Sequence, residues 1–303
     1  MYTTKALCEN NKQKKDFFSV KFYKKNLENI KLRDPKTIDY IKKYMADKVL
    51  TKIAQNEFLS KNLVLIGGTS LYIVYRSPRR TTRDLDFNCI LDPTKENLEA
   101  LKENLLLLSF NVSKEQIPLI KKGSKINAEE KKFNEQQFAI AFRYKIQEGL
   151  EPVMRIEGRF NKVLYEPVEH KIDLFSSIKA EQPKEILLDK IVAIYQRFKE
   201  RGSIKPADFF DINYIIKNFN IKIKIEELIK KMELQKIKID IDDIIKVFEI
   251  VLNEKIDGEK IKNNIKNQIE KNYFLNIDFQ QIVKENKKLF RNIIKNLQNS
   301  LEQ

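Results

Sequence analysis

The hydrophobic period of this chain changes once, near residue 180, and that change limits the available folds more than any other feature. From Leu63 to about Phe175 the apolar residues come in runs of strand length: LVLIG, DLDFNCIL, FAIAFRYKI, VMRIEGRF and HKIDLF. One helix-periodic stretch, TKENLEALKENLLLL, lies among them. Another, DPKTIDYIKKYMADKVLTKIAQNEFLS, precedes them, with Ile38, Ile41, Met45, Val49 and Ile53 at helical spacing and Asp34 and Pro35 as its start signal. KIQEGLEPV, between two strand runs, reads as a hairpin connection around Gly149. From Pro183 onward the pattern is helical: PKEILLDKIVAIYQRFKE, KPADFFDINYIIKNF, KIEELIKKME, then Lys- and Asn-rich amphipathic stretches to the end. The expectation is an α+β domain with a mixed sheet and a helical N-terminal segment, residues 1–180. An all-helical C-terminal domain, 181–303, follows it.

Within the strand region, LVLIGGTSLYIVYRSPRRTTRDLDF concentrates unusual choices. A chain with 7 glycines in 303 residues places two of them, Gly67 and Gly68, side by side after an apolar run. TSLYIVY after them is helix-compatible, so the order is strand, tight turn, helix. Glycines let a backbone approach a phosphate, and N–H groups at a helix start are anion donors. Thr69 and Ser70 add hydroxyls at the same end. This is not a P-loop, because the G-x-x-x-x-G-K-[ST] pattern is missing. Further along, Asp84 and Asp86 stand two apart in a strand candidate and so project from one face, with Leu85 and Phe87 behind them. Adjacent carboxylates repel unless something neutralises them, and a divalent cation is the usual solution. Magnesium, which takes oxygen ligands and is commonly shared with substrate phosphates, suits the pair. The plain alternative is a solvated strand edge beside a turn needed only for packing. Together the two motifs suit phosphoryl or nucleotidyl transfer, where catalysis is mostly positioning and charge neutralisation.

Other chemistries find little support. His170 is the only histidine, which argues against a histidine pair and leaves one candidate for any serine triad; it reads as a strand-surface residue. Cys8 and Cys89 are far apart and lack metal-ligand spacing, so neither a disulfide framework nor a zinc site is expected. The N-terminal stretch has no continuous apolar run or small-residue cleavage site, and no segment of spanning length is apolar enough for a membrane. A cytoplasmic protein is therefore expected. Lys and Arg number 58 against 43 Asp and Glu, a formal charge of +15 that favours a polyanionic partner, nucleic acid first. Part of that excess is the Lys, Ile and Asn richness an AT-rich coding genome produces.

The GGTSLYIVYRSPRRTTRDLDF stretch resembles the signature of the AbiEii-type nucleotidyltransferase toxins, within the polymerase-β-like superfamily. That pattern is a Gly-Gly-[Thr/Ser] turn, a short helix, an Arg-x-[Ser/Thr] element and Asp-[Leu/Ile]-Asp. Gly67, Gly68, Thr69, Arg80, Thr82, Asp84 and Asp86 fall in place. EILLDKIVAIYQRFKERGSIKPADFFDI resembles the second signature through Asp189, Lys190, Ala193, Gln196, Arg197, Asp208 and Asp211, departing from it at Ala207, where the family usually has arginine. The resemblance covers about residues 60 to 220 and implies a polymerase-β-like catalytic domain, with the first part of the helical domain completing the active site.

It further implies magnesium on Asp84 and Asp86, an NTP as donor, and a third carboxylate on a later strand: Glu157 first, Asp173 as runner-up. Lys190 is implied as a phosphate contact. Asp208 and Asp211, three apart on one helical face, either hold Lys190 or an arginine in place or, for Asp208, mark the helix start after Pro206. Arg79, Arg80 and Arg83 suit a triphosphate or an RNA backbone; otherwise they form a basic loop. The implied role is the toxin of a bacterial toxin–antitoxin or phage-defence pair. It would transfer an NMP to RNA, with a tRNA end as a candidate, opposed by an antitoxin encoded nearby. A small-molecule hydroxyl as acceptor, or a catalytically silent nucleic-acid-binding relative, are the competing readings.

Overall fold

The computed structural model describes residues 35–79, 84–113, 125–145, 153–172, 176–269 and 271–301. Among them, seven strands form one mixed sheet in the order β3-β4-β5-β2-β1-β7-β6. They are β1 (Leu63–Leu65), β2 (Asp84–Cys89), β3 (Lys125–Phe133), β4 (Gln137–Lys145), β5 (Val153–Arg159), β6 (Val168–Lys171) and β7 (Ser177–Ala180). β1 and β2 are antiparallel, but β2 runs parallel to β5 and β1 parallel to β7. The fold is α+β, as the change of period implies.

Alternation decides which face of the sheet is dry. Leu85, Phe87 and Cys89 of β2, Phe138, Ile140 and Phe142 of β4, and Met154 and Ile156 of β5 are buried in one core. Over it pack α1 (Pro35–Gln55), through Met45, Val49 and Ile53, and α4 (Lys95–Ser113), through Leu101, Leu105 and Leu108. Between α1 and β1, Asn56 breaks the long helix expected from the sequence and caps the short α2 (Glu57–Asn62), accepting from the Leu59 N–H at 2.9 Å. Gly158 sits where a Cβ would come within 2.0 Å of the Phe138 ring, so only glycine lets β4 and β5 close here.

A second core belongs to the helices: α5 (Pro183–Arg201), α6 (Pro206–Phe219), α7 (Ile225–Leu234), α8 (Ile241–Ile250), α9 (Gly258–Ile265), the short α10 (Lys271–Phe274) and α11 (Phe279–Leu301). Leu188, Val192, Phe209, Ile212, Phe248, Phe290 and Leu297 are buried in it. Leu71 of α3 (Gly67–Ile73) joins this core rather than the sheet's, so the glycine-led helix connects the two. No helix among the described residues is long and apolar enough to cross a membrane.

Two strands went unread in the sequence. β3 is a sheet edge whose KINAEEKKF sequence carries no sustained apolar alternation to mark it as a strand. β7 is only four residues long, with Ile178 and Ala180 inward. The HKIDLF run contributes its first two residues to β6, and its last three lie outside the described residues.

Candidate active site

The face of the sheet opposite its core carries the carboxylates. In β2, Asp84 and Asp86 alternate with buried Leu85 and Phe87. In β5, Arg155 and Glu157 alternate with buried Met154 and Ile156. The parallel register sets Asp86 opposite Glu157 and Asp84 opposite Arg155. Three carboxylates therefore share one patch, with Arg155 only grazing Glu157 at 4.0 Å. Asp86 is the most shielded, and its carboxyl is pushed up to about 6, first by burial, then by the charges of Asp84 and Glu157. Lys205 and Lys190 pull in the other direction. Carboxylate oxygens are the donors a divalent cation takes, although among the described residues the three acids whose oxygens all lie within 4.8 Å of one another are others, Glu181, Glu185 and Asp189. Asp173, Arg80, Thr82 and Arg83 lie outside the described residues.

The glycine turn adjoins this patch. Gly67 opens α3 at φ 64°, a left-handed conformation that disfavours any side chain. The Ile66 N–H donates to the Asp86 carbonyl at 3.0 Å, and the Thr69 hydroxyl to the Asp84 carbonyl at 3.2 Å. These bonds hold the helix start against the Asp-Leu-Asp strand. Ile66, at the N-cap of α3, gives no side-chain hydrogen bond to the helix start. Thr69 and Ser70 are themselves buried, and their hydroxyls face protein.

Cations assemble on the other side, supplied by the helical core. Lys190 is buried and donates to Asp208 Oδ1 at 2.8 Å, with Asp211 Oδ2 at 2.6 Å. Arg197 holds the second oxygen of Asp208. Arg79 is also buried; it donates through Nε to Asp211 Oδ1 at 2.6 Å, through Nη2 to Asp211 Oδ2, and through Nη1 to Gln268 at 2.7 Å. Burial alone would raise both carboxyls. Lys190 and Arg197 outweigh it at Asp208, Arg79 and Lys190 at Asp211, and both are held below the usual carboxylate range. Arg79 reaches this point because the turn after α3 is tied down: the Tyr75 hydroxyl donates to the Glu181 carbonyl at 2.8 Å and Tyr214 to the Tyr75 carbonyl at 2.6 Å. Position 207, where the second signature usually has arginine, is a buried alanine, and Asp211 is clamped by Arg79.

One residue near these groups was not singled out in the sequence. Lys205, the N-cap position of α6, is exposed, and its charge acts on Asp86, Asp208 and Lys190. The available signal was its place three residues before Asp208, inside the second signature.

A second carboxylate cluster, also unread, lies deeper. Glu181, Glu185 and Asp189 bring oxygens within 4.8 Å of one another. The Lys231 ammonium fills this group, pairing with Glu185 and, at 2.8 Å, with Asp189. Glu185 also accepts the backbone N–H groups of Leu164 and Tyr165 at 3.1 and 3.0 Å. A cation already sits among these acids, and they act as a brace between α5, α7 and the segment after β5. Asp189 thus points away from the Lys190 cluster, as neighbours about 100° apart on a helix do.

A family model described as nucleotidyl transferase AbiEii toxin, type IV toxin–antitoxin system, matches residues 48–293. Among solved structures the chain is similar to MenT4, a nucleotidyltransferase toxin from Mycobacterium tuberculosis. The identity is 15% and the TM-score 0.41, with 86% of this chain and 94% of that one covered. No curated protein matches the sequence.

Proposed function

The chain belongs to the AbiEii nucleotidyltransferase toxin family of type IV toxin–antitoxin systems, and we propose that it is a magnesium-dependent enzyme moving an NMP from an NTP to a hydroxyl of RNA, a tRNA end being the first candidate. The observation that supports this most is the register of β2 and β5, which puts Asp84, Asp86 and Glu157 on one open face within electrostatic reach of the Lys190 cluster. Asp84 and Asp86 would hold the metal, which when bound would neutralise phosphate charge beside the reacting phosphorus. The rest is done by the chain. The Gly67–Gly68 turn offers backbone N–H groups to phosphate oxygens. Arg79, Lys190 and Arg197, ordered by Asp208 and Asp211, supply fixed positive charge without moving during reaction. Glu157 accepts the proton as the acceptor hydroxyl attacks the α-phosphorus and the bond to pyrophosphate breaks; Asp173 is the alternative for that role.

In this reading residues 1–180 form the catalytic domain and 181–303 a helical domain whose first helices complete the site. The protein works in the cytoplasm in toxin–antitoxin biology or phage defence, opposed by an antitoxin encoded nearby that forms no stable complex with it. The test is to incubate the protein with each α-labelled NTP, magnesium and total RNA. Metal-dependent label on RNA is expected. Label on a small metabolite in preference to RNA, or metal-independent label, overturns the reading.

A further inference from the structure

The cations of the candidate site differ in how many hydrogen-bond donors remain for a substrate. Both oxygens of Asp208 and both of Asp211 are taken, by Lys190, Arg197 and Arg79. Arg79 has committed Nε, Nη2 and Nη1, and is 3% exposed. Lys190 has engaged two carboxylates and is 8% exposed, which leaves at most one of its three N–H bonds for anything else. Arg197 is more open, but one end is anchored to Asp208. Lys205 is the exception. Among the described residues no carboxylate lies within 4.0 Å of its ammonium, although its charge registers at Asp208.

Among the described residues, three cations thus hold two carboxylates, and Lys205 adds a fourth positive charge with no carboxylate of its own within salt-bridge distance. The charge of that side chain also favours the ionised form of Asp86. Its backbone is fixed: the Lys205 carbonyl accepts from the Asp208 N–H at 2.9 Å, and Pro206 follows. A flexible stem on an anchored backbone, next to like charges and without a counter-ion among the described residues, is suited to receive an anion brought from outside. Partial desolvation and the neighbouring Lys190, Arg79 and Arg197 cations hold its ammonium below the usual lysine range, and an arriving phosphate would relieve that strain.

We infer that Lys205 is the side chain that contacts the triphosphate of the incoming nucleotide, while Lys190, Asp208 and Asp211 hold the surrounding charges in place. The inference rests on nucleotide transfer being the reaction, and the probe is therefore chosen to be independent of turnover: inorganic tripolyphosphate with magnesium, titrated calorimetrically into the full chain. Lys205→Ala should weaken binding about 10- to 100-fold, the range for removing a hydrogen bond to a charged group. Lys205→Arg should retain most of it, and Lys217→Ala, an exposed lysine on the same helix, should leave it unchanged. Thermal melting of all three should match wild type. In turnover, Lys205→Ala should raise KM for the NTP more than it lowers kcat. Wild-type protein that binds no tripolyphosphate overturns the inference, as does unchanged binding in Lys205→Ala or an equal loss in Lys217→Ala. Lys205-dependent binding in a protein that labels no acceptor with any NTP would uphold the anion contact and refute nucleotide transfer.

Discussion

Asp86→Asn should make the metal-free protein more stable while abolishing nucleotide transfer. The Asp86 carboxyl is raised from its ordinary 3.8 to about 6 by burial and by Asp84 and Glu157. A shift of about two units corresponds to about 3 kcal/mol at 1.36 kcal/mol per unit. The sign follows from proton binding: the folded state holds this proton more tightly than the unfolded one, so stability falls as pH rises from about 4 to about 6 and the whole cost is present above that. Asparagine keeps the shape and removes the charge. At pH 8 without divalent cations the variant should exceed wild type by about 1–3 kcal/mol, the lower end allowing for imperfect hydrogen bonding of the amide. By pH 4.5 the advantage should shrink to about a third, because most wild-type molecules are then protonated at Asp86. Thermal melts across that pH range measure it. Adding magnesium should raise the wild-type melting temperature and leave the variant's nearly unchanged, since an amide is a poor magnesium ligand. A variant that melts at or below wild type in metal-free buffer at pH 8 would refute the reasoning, because the Asp86 charge would then not be held at a cost by burial and its neighbouring carboxylates.

Lys231→Met strands Glu185 and Asp189 without their cation and should cost about 3–5 kcal/mol in denaturant unfolding. A loss under 1 kcal/mol would mean that water replaces the ammonium there. Gly158→Ala drives a methyl group into the Phe138 ring and should cost about 1–3 kcal/mol by the same measurement. RNA labelling should fall steeply between low and moderate salt, with a log–log slope of about −0.7 per phosphate contact on a single strand. Charge reversal at Lys262, Lys266 and Lys271 should reduce RNA affinity more than NTP affinity; labelling insensitive to salt would favour a small acceptor.

What the sequence made legible and what it hid divide along a physical line. Asp84 and Asp86 were readable because a strand's two-residue period puts them on one face by local geometry alone. Their neighbour Glu157 lies 71 positions on in sequence and becomes adjacent only through the parallel pairing of β2 with β5, a long-range contact that leaves no trace in either segment. Resemblance, not periodicity, brought Glu157 forward. The same division runs through the basic residues. A chain with 58 Lys and Arg offers no local mark to separate a solvated lysine from one facing a substrate. The second signature picked out Lys190, whose environment then proves to be two carboxylates and little solvent. What sets Lys205 apart is that no carboxylate among the described residues lies beside it, a property of the space around it. The features with the most bearing on charge in this site are thus the register of two strands and the unequal sharing of Asp208 and Asp211 among four cations, and both exist only after folding.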